Sequence, residues 1–153
     1  MMNLKRLTTG EIDFKRVTNF LIDNFAPEHD MGTLSGSNFN LEKVFKWITW
    51  NIKEAAFVIE DEEGNVIGSI GLNKTSPWYS DVEYLTDGWF YVSPEHRKSG
   101  IAATLIEAAK KYAKQDDLPL IIGVFSKTDA VAKSNIMNKL GLITVGGMFA
   151  AGV

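Results

Sequence analysis

Cysteine is absent from this chain, which excludes disulfide scaffolds, thiolate metal sites and cysteine nucleophiles. Imidazole is scarce as well. His29 and His96 are the two histidines, so a metal site would have to be carboxylate-rich, and no metal is expected. Glycine and proline contribute 13 and 4 residues, and no repeat or low-complexity tract is visible, which excludes collagen-like and disordered chains. No apolar run approaches the roughly 18 residues of a membrane span. The opening Met1-Met2-Asn3-Leu4-Lys5-Arg6 also lacks the apolar stretch of a secretion signal, so a cytoplasmic location without a membrane partner is expected. A basic surplus is missing too, because 16 Lys and Arg face 19 Asp and Glu for a net charge of −3. Nucleic-acid binding draws its affinity from clustered cations. The one basic cluster, His96-Arg97-Lys98, is sized for a small anionic ligand, and no nucleic-acid partner is expected.

What remains is a chain of ordinary apolar content, 45% of its residues, and of one domain's length, residues 1–153. Residues 2–8 read as a short strand. Thr8-Thr9-Gly10-Glu11 has the spacing of a capping box, and Phe14, Val17, Leu21 and Phe25 form the stripe of a helix that should end before Pro27. Residues 27–38 read as a loop. Leu41, Val44, Phe45, Ile48 and Ile52 mark a second helix. Ala55–Glu60 and residues 66–72 then form a hairpin around the turn at 61–65, and a longer strand is expected over 82–93. A helix over 100–115 follows, with a short buried strand at 120–125, a helix over 130–140 closed by Gly141, and a last strand at 143–148. The order β-α-α-β-β-β-α-β-α-β, with room for one more short strand, implies an α/β (α+β) fold. Its mixed central sheet would have six to seven strands and helices on both faces. Trp47, Trp50 and Trp89 are expected in the core.

The chemistry is concentrated between residues 87 and 108. An aromatic-rich strand ends at Val92, Pro94 stops its ladder, and a loop rises into a helix whose first turn holds Gly100 and Ala102. Unpaired backbone N–H groups and the positive dipole end of a helix bind anions, Gly100 permits close approach, and Arg97 and Lys98 add charge. The spot suits a pyrophosphate, although one glycine at a helix start also fits an ordinary strand-to-helix turn.

The run Val92-Ser93-Pro94-Glu95-His96-Arg97-Lys98-Ser99-Gly100-Ile101-Ala102 resembles the Arg/Gln-x-x-Gly-x-Gly/Ala loop of the GNAT acetyltransferase superfamily, with its preceding strand and Val-x-Pro ending. The element order matches that mostly antiparallel fold along essentially the whole chain. The aromatic strand is also similar to that of acetyltransferase-like proteins of bacteriophages. The resemblance implies that acetyl-CoA lies between the strand ending at Val92 and the strand at 120–125. Its pantetheine would pair with the backbone of Phe90, Tyr91 and Val92. Its pyrophosphate would rest on the amides of Lys98, Ser99, Gly100, Ile101 and Ala102, with Arg97 alongside. A backbone N–H near Tyr91 or Val92 would face the thioester carbonyl.

An amine must be neutral to attack, and only roughly one lysine-like amine in a thousand is neutral near pH 7. A carboxylate base answers that need. Glu83 is the first candidate, with Asp87 behind it on the same strand. The resemblance has one departure. Family members often carry a Tyr that protonates the leaving thiolate, and that position is Met137 here, whose thioether donates no proton. Ser134, one turn earlier, could replace it, and Asn135 could hydrogen-bond the cofactor. The acceptor pocket is expected from residues 27–38 and 73–85, where Trp78, Tyr79 and Tyr84 mix with acidic side chains suited to a cationic amine. The reading is an N-acetyltransferase acting from acetyl-CoA on a primary amine of a small molecule or protein. The alternative is a CoA-binding or structural protein of the same fold without turnover. A homodimer is also expected, because the chain after residue 148 is too short to cover a sheet edge.

Overall fold

The computed structural model describes residues 2–28, 40–124, 129–147, 149 and 151. Strand β1 (Asn3–Arg6) leads to helix α1 (Glu11–Phe20), a π-helical turn (Leu21–Phe25) and a last turn, α2 (Ala26–Glu28). Helix α3 (Leu41–Glu54) runs directly into β2 (Ala55–Glu60), which is followed by β3 (Val66–Thr75) and β4 (Tyr84–Val92). A 3-10 turn (Pro94–His96), α4 (Ile101–Gln115), β5 (Leu120–Ile121) and α5 (Ala130–Lys139) complete the order.

The sheet has five strands in the order β1-β2-β3-β4-β5, antiparallel between neighbours except for the parallel pair β4–β5. Helices cover both faces, because alternate residues of each strand point to opposite sides. Val17, Phe20, Leu21, Ile48 and Ile52 of the first helices pack with Ala56, Val58, Trp89 and Tyr91 on one face. Ile101, Leu105, Ile106 and Ala109 of α4 pack with Ala55, Ile59, Ile70, Leu72 and Val92 on the other. Glu60, buried at the end of β2, is held by Lys5 and Arg16, each at 2.5 Å, which joins β1 and α1 to the hairpin.

Several expectations need correction. The strand expected at 143–148 does not form over 143–147, and Met148 lies outside the described residues. Among the described residues the sheet therefore has five strands, not six to seven. Ile143 and Val145 are exposed, Gly146-Gly147 interrupt the apolar alternation, and the two-residue β5 is a poor template for a further strand. β5 itself stops at Ile121 instead of residue 125. Phe125 and the expected helix start over Ser126, Lys127 and Thr128 lie outside the described residues.

The first helix does not end before Pro27. The π-helical turn shifts the hydrogen-bond register, and Pro27 falls in the short turn after it, where a missing N–H is tolerated. Nor does the capping box form. Gly10 is the N-cap with no side-chain cap, and the Thr8 N–H and hydroxyl donate to Asp13 Oδ2 instead, at 3.1 and 2.9 Å. Trp47 and Trp50 are not core residues, being 43% and 61% exposed, whereas Trp89 is buried.

Candidate functional site

β4 is bound on both edges only in its first half. Leu85 and Thr86 pair with Leu120 and Ile121 of β5, and the Leu85 N–H donates to Pro119 O at 2.8 Å. At Asp87 the ladder changes character, because the Asp87 carboxylate, and not a backbone carbonyl, accepts the Gly123 N–H at 2.7 Å. Beyond that point no β4–β5 pair forms among the described residues. Among the described residues, the second half of β4 keeps β3 on one side and presents an open edge on the other.

Which groups face that edge follows from alternation. The Ser93 N–H donates to Ile67 O of β3 at 3.0 Å. Successive residues of a strand turn their N–H and C=O to opposite edges, so Trp89 and Tyr91 face β3 while Phe90 and Val92 face the opening. The Val92 carbonyl accepts the Arg97 Nε–H at 3.1 Å.

The loop after β4 is held from within. The Ser93 hydroxyl lies 3.1 Å from Ile67 O and 2.8 Å from His96 Nδ1. With its one proton on the carbonyl, the ring proton of His96 sits on Nδ1. Ser99 Oγ donates to His96 O at 2.5 Å. Lys98 and Gly100 then take left-handed backbone angles, φ 68° and 87°, before α4 begins at Ile101. No side chain caps this helix. The N–H groups of Lys98, Ser99, Gly100, Ile101 and Ala102 have no protein acceptor among the described residues. A Cβ built on Gly100 meets nothing within 4 Å. Unpartnered amides, a helix dipole and open space together form a receptor for an anion.

Arg97 is already engaged. Its guanidinium donates to Glu28 Oε2 at 2.6 Å and lies 5.4 Å from the centre of the Tyr91 ring. The Tyr91 hydroxyl donates to Asn24 O at 3.0 Å, and burial, reinforced by the Glu28 carboxylate, holds its pKa well above the ordinary tyrosine value. That phenol stays protonated.

The two strand carboxylates occupy unlike places. Glu83 is exposed and precedes β4, whereas Asp87 is half-buried where β4 and β5 part. Burial raises the pKa of Asp87, an effect the Gly123 N–H only partly offsets. On α5, Ser134 and Met137 are half-buried and Asn135 is exposed. Met137 packs against the apolar cluster under α4, so the residue at the usual Tyr position fills core space. No hydrogen bond joins Ser134 or Asn135 to β4 or the loop among the described residues. On the acceptor side, Trp78 and Tyr79 stand 96% and 73% exposed, and residues 29–38 of the expected acceptor loop lie outside the described residues. Among the described residues there is no group of three His, Asp or Glu suited to a metal ion, and no helix is long and apolar enough to cross a membrane.

The model of the acetyltransferase (GNAT) family matches residues 21–134, about three quarters of the chain, including β4, the loop and α4. The chain belongs to that family. As a member it is an acyltransferase, and the matched range includes the amide-lined loop before α4. A search of curated proteins finds no match. Similar solved structures include the GCN5-related N-acetyltransferase from Ralstonia eutropha JMP134, 15% identical, with a TM-score of 0.73 and coverage of 99% of this chain and 98% of that one. The aminoglycoside acetyltransferase meta-AAC0020 from an uncultured soil metagenomic sample, solved with sisomicin, is 17% identical, with a TM-score of 0.69 and coverage of 99% and 96%. AAC(6')-Iy in complex with the bisubstrate analog CoA-S-monomethyl-acetylneamine is 11% identical, with a TM-score of 0.70 and coverage of 99% and 97%. At these identities the likeness is one of fold.

Several members of the site had no local signature in the sequence. Glu28, an acidic residue of the expected acceptor stretch, reaches the loop instead through Arg97, Asn24 reaches Tyr91 of β4, and Gly123 reaches Asp87 across the β4–β5 junction. A motif reading confined to residues 87–108 has no means of finding them.

Proposed function

We propose that this family member transfers an acetyl group from acetyl-CoA to a primary amine of a small molecule or protein. The observation that carries the reading is the succession of two backbone features along the chain. The unpartnered amides from Lys98 to Ala102 lie one short loop beyond the open edge of β4. The fit to the co-substrate is good on two counts. The space over Gly100, which a side chain would fill, suits a phosphate, and the Phe90 and Val92 backbone groups suit an extended amide-bearing arm.

In this reading the chain's residues divide the work. Lys98, Ser99, Gly100, Ile101 and Ala102 hold the pyrophosphate. Phe90 and Val92 orient the acyl arm, and one of their N–H groups stabilises the carbonyl oxygen as negative charge develops. Asp87 takes a proton from the attacking ammonium, directly or through water. The nitrogen then forms a bond to the acyl carbon, the carbon–sulfur bond breaks, and the thiolate of CoA leaves while the nitrogen's second proton passes through water to that thiolate. A carboxylate whose pKa burial has raised is better matched to that proton than an ordinary surface one. Asp87 therefore takes precedence over Glu83. Ser134 remains the candidate proton donor on α5.

Calorimetry with acetyl-CoA tests the binding half of the reading. Thiol release over an amine panel that includes sisomicin and an N-terminal alanine peptide tests the transfer half. Absence of heat at millimolar acetyl-CoA overturns the reading, and binding without thiol release favours a CoA-binding protein of this fold.

A further inference from the structure

A regular strand through residues 85–91 would put Asp87, Trp89 and Tyr91 on one face of the sheet. The register forbids it. Leu72 lies opposite Asp87 and Gly71 lies opposite Trp89, so Gly88 is an extra residue, a β-bulge. Asp87 therefore shares the α4 face with Leu72, whereas Trp89 and Tyr91 join the cluster of α1 and α3. The bulge also reverses the backbone phase. Before it, an odd-numbered residue faces β5, since the Leu85 N–H donates to Pro119 O. After it, an odd-numbered residue faces β3, since the Ser93 N–H donates to Ile67 O. Without the bulge, Trp89 and Tyr91 would present their amides to the opening in place of Phe90 and Val92.

Helix α3 grips the bulge. The Trp47 indole N–H donates to Gly88 O at 3.0 Å, satisfying a carbonyl that the bulge takes out of the ladder. One turn later, the fully buried Asn51 packs against the same residue, so close that a Cβ on Gly88 would stand 2.1 Å from Asn51 Oδ1. Asn51 donates to Trp47 O at 2.8 Å and accepts from Asn73 of β3 at 3.3 Å, so helix, bulge and neighbouring strand are tied together. Beyond the bulge, Trp89 lies over Gly71, where a Cβ would stand 2.3 Å from its ring, and donates to Ser69 Oγ at 2.9 Å.

We infer that Trp47 and Asn51 are positioning residues, which lock the Gly88 bulge and thereby aim the Phe90 and Val92 amides at the acyl group. The catalytic part of this inference rests on the acetyl-transfer reading, and the structural part does not. Trp47→Phe is the decisive variant, because it removes the N–H donor from a partly exposed ring and leaves the buried Asn51 in place. In the free protein, amide exchange at Trp89 and Tyr91 should quicken roughly tenfold, while the β2–β3 ladder stays as protected as in the wild type. With acetyl-CoA and hydroxylamine, a nucleophile largely uncharged near neutral pH that needs little help from a base, catalysed thiol release should fall roughly 10- to 100-fold in kcat. KM for acetyl-CoA should stay within about threefold, because the amides before α4 are untouched. Wild-type exchange at Trp89 and Tyr91 overturns the clamp, and so does protection lost equally across every strand, the mark of a merely structural tryptophan. Lost protection with unchanged kcat overturns the positioning role. A wild-type protein that neither binds nor cleaves acetyl-CoA refutes the functional reading, and the exchange result then still decides the clamp.

Discussion

Arg97 and Glu28 form an ion pair at 2.6 Å that joins the last turn of α2 to the loop ahead of α4. The same guanidinium donates to Val92 O on the open edge of β4 and lies over the Tyr91 ring. Arg97 is thus already paired with a carboxylate, and in the proposed reading an arriving pyrophosphate would compete with Glu28 for it.

Two variants measure that competition. Glu28→Gln should tighten acetyl-CoA binding modestly, by about two- to fivefold, since an exposed ion pair is worth only about 0.2–1 kcal/mol. Arg97→Ala should weaken binding by about 1 kcal/mol, near the lower end for a charge-assisted contact. Calorimetry at low and moderate salt checks both, and weaker binding in Glu28→Gln would show that the carboxylate orients the arginine for its ligand.

Gly100 carries the sharper test of the anion site. Its φ of 87° penalises any side chain, but the space around it is open. Gly100→Ala should therefore cost about 1–2 kcal/mol of stability while leaving binding measurable. Gly100→Glu, which sets a carboxylate among the free amides, should abolish the thermal shift produced by acetyl-CoA. A retained shift in Gly100→Glu would place the pyrophosphate elsewhere.

Asp87 links stability to pH. Because burial raises its pKa in the folded protein, its favourable contribution is complete below the ordinary aspartate value and is lost as pH rises through the folded value. Asp87→Asn, which keeps an acceptor for the Gly123 N–H, should accordingly melt higher than the wild type at pH 7, with the gap closing toward pH 4. Its amine-dependent rate should fall about 10²- to 10⁴-fold near neutrality and recover partly at high pH, where free amine is abundant. Glu83→Gln should stay near the wild-type rate. The opposite pattern of rates would move the base to Glu83.

The C-terminal segment has an expected behaviour in solution. Ile143, Val145 and Phe149 are 82%, 75% and 98% exposed, and apolar surface of that kind favours association. Self-association that rises with concentration is expected in sedimentation, and the double variant Ile143→Asp, Val145→Asp should weaken it at least tenfold, or about 1.4 kcal/mol. A strict monomer at high concentration would remove the homodimer.

Much of the fold was legible because its signals are local. The repeat of apolar residues along α4 marked a helix packed on the sheet, and Ile101 and Leu105 are indeed buried there. Gly100 near Ala102 marked the strand-to-helix turn before α4 within a single turn of chain. The stripe proposed for α3 was less complete. Ile48 and Ile52 reach the core, but Leu41 and Phe45 are exposed, and the polar Asn51 is buried in their place. Hydrophobic periodicity does not register an asparagine that is buried because a bulge needs a partner.

By itself, the sequence determined the order of elements through α5, the absence of cysteine, and the turn of backbone before α4 whose amides have no protein acceptor among the described residues. Those follow from propensity, periodicity and the conformational freedom of one glycine, all of which act over a few neighbouring residues. The tertiary structure alone decided which β4 amides face the opening, which carboxylate is desolvated, and what holds the motif arginine. Each of these goes with a hydrogen bond between residues far apart in the chain: Trp47 to Gly88 across 41 positions, Gly123 to Asp87 across 36, and Arg97 to Glu28 across 69. No local pattern encodes such pairs, because their partners meet only after helix and sheet have packed.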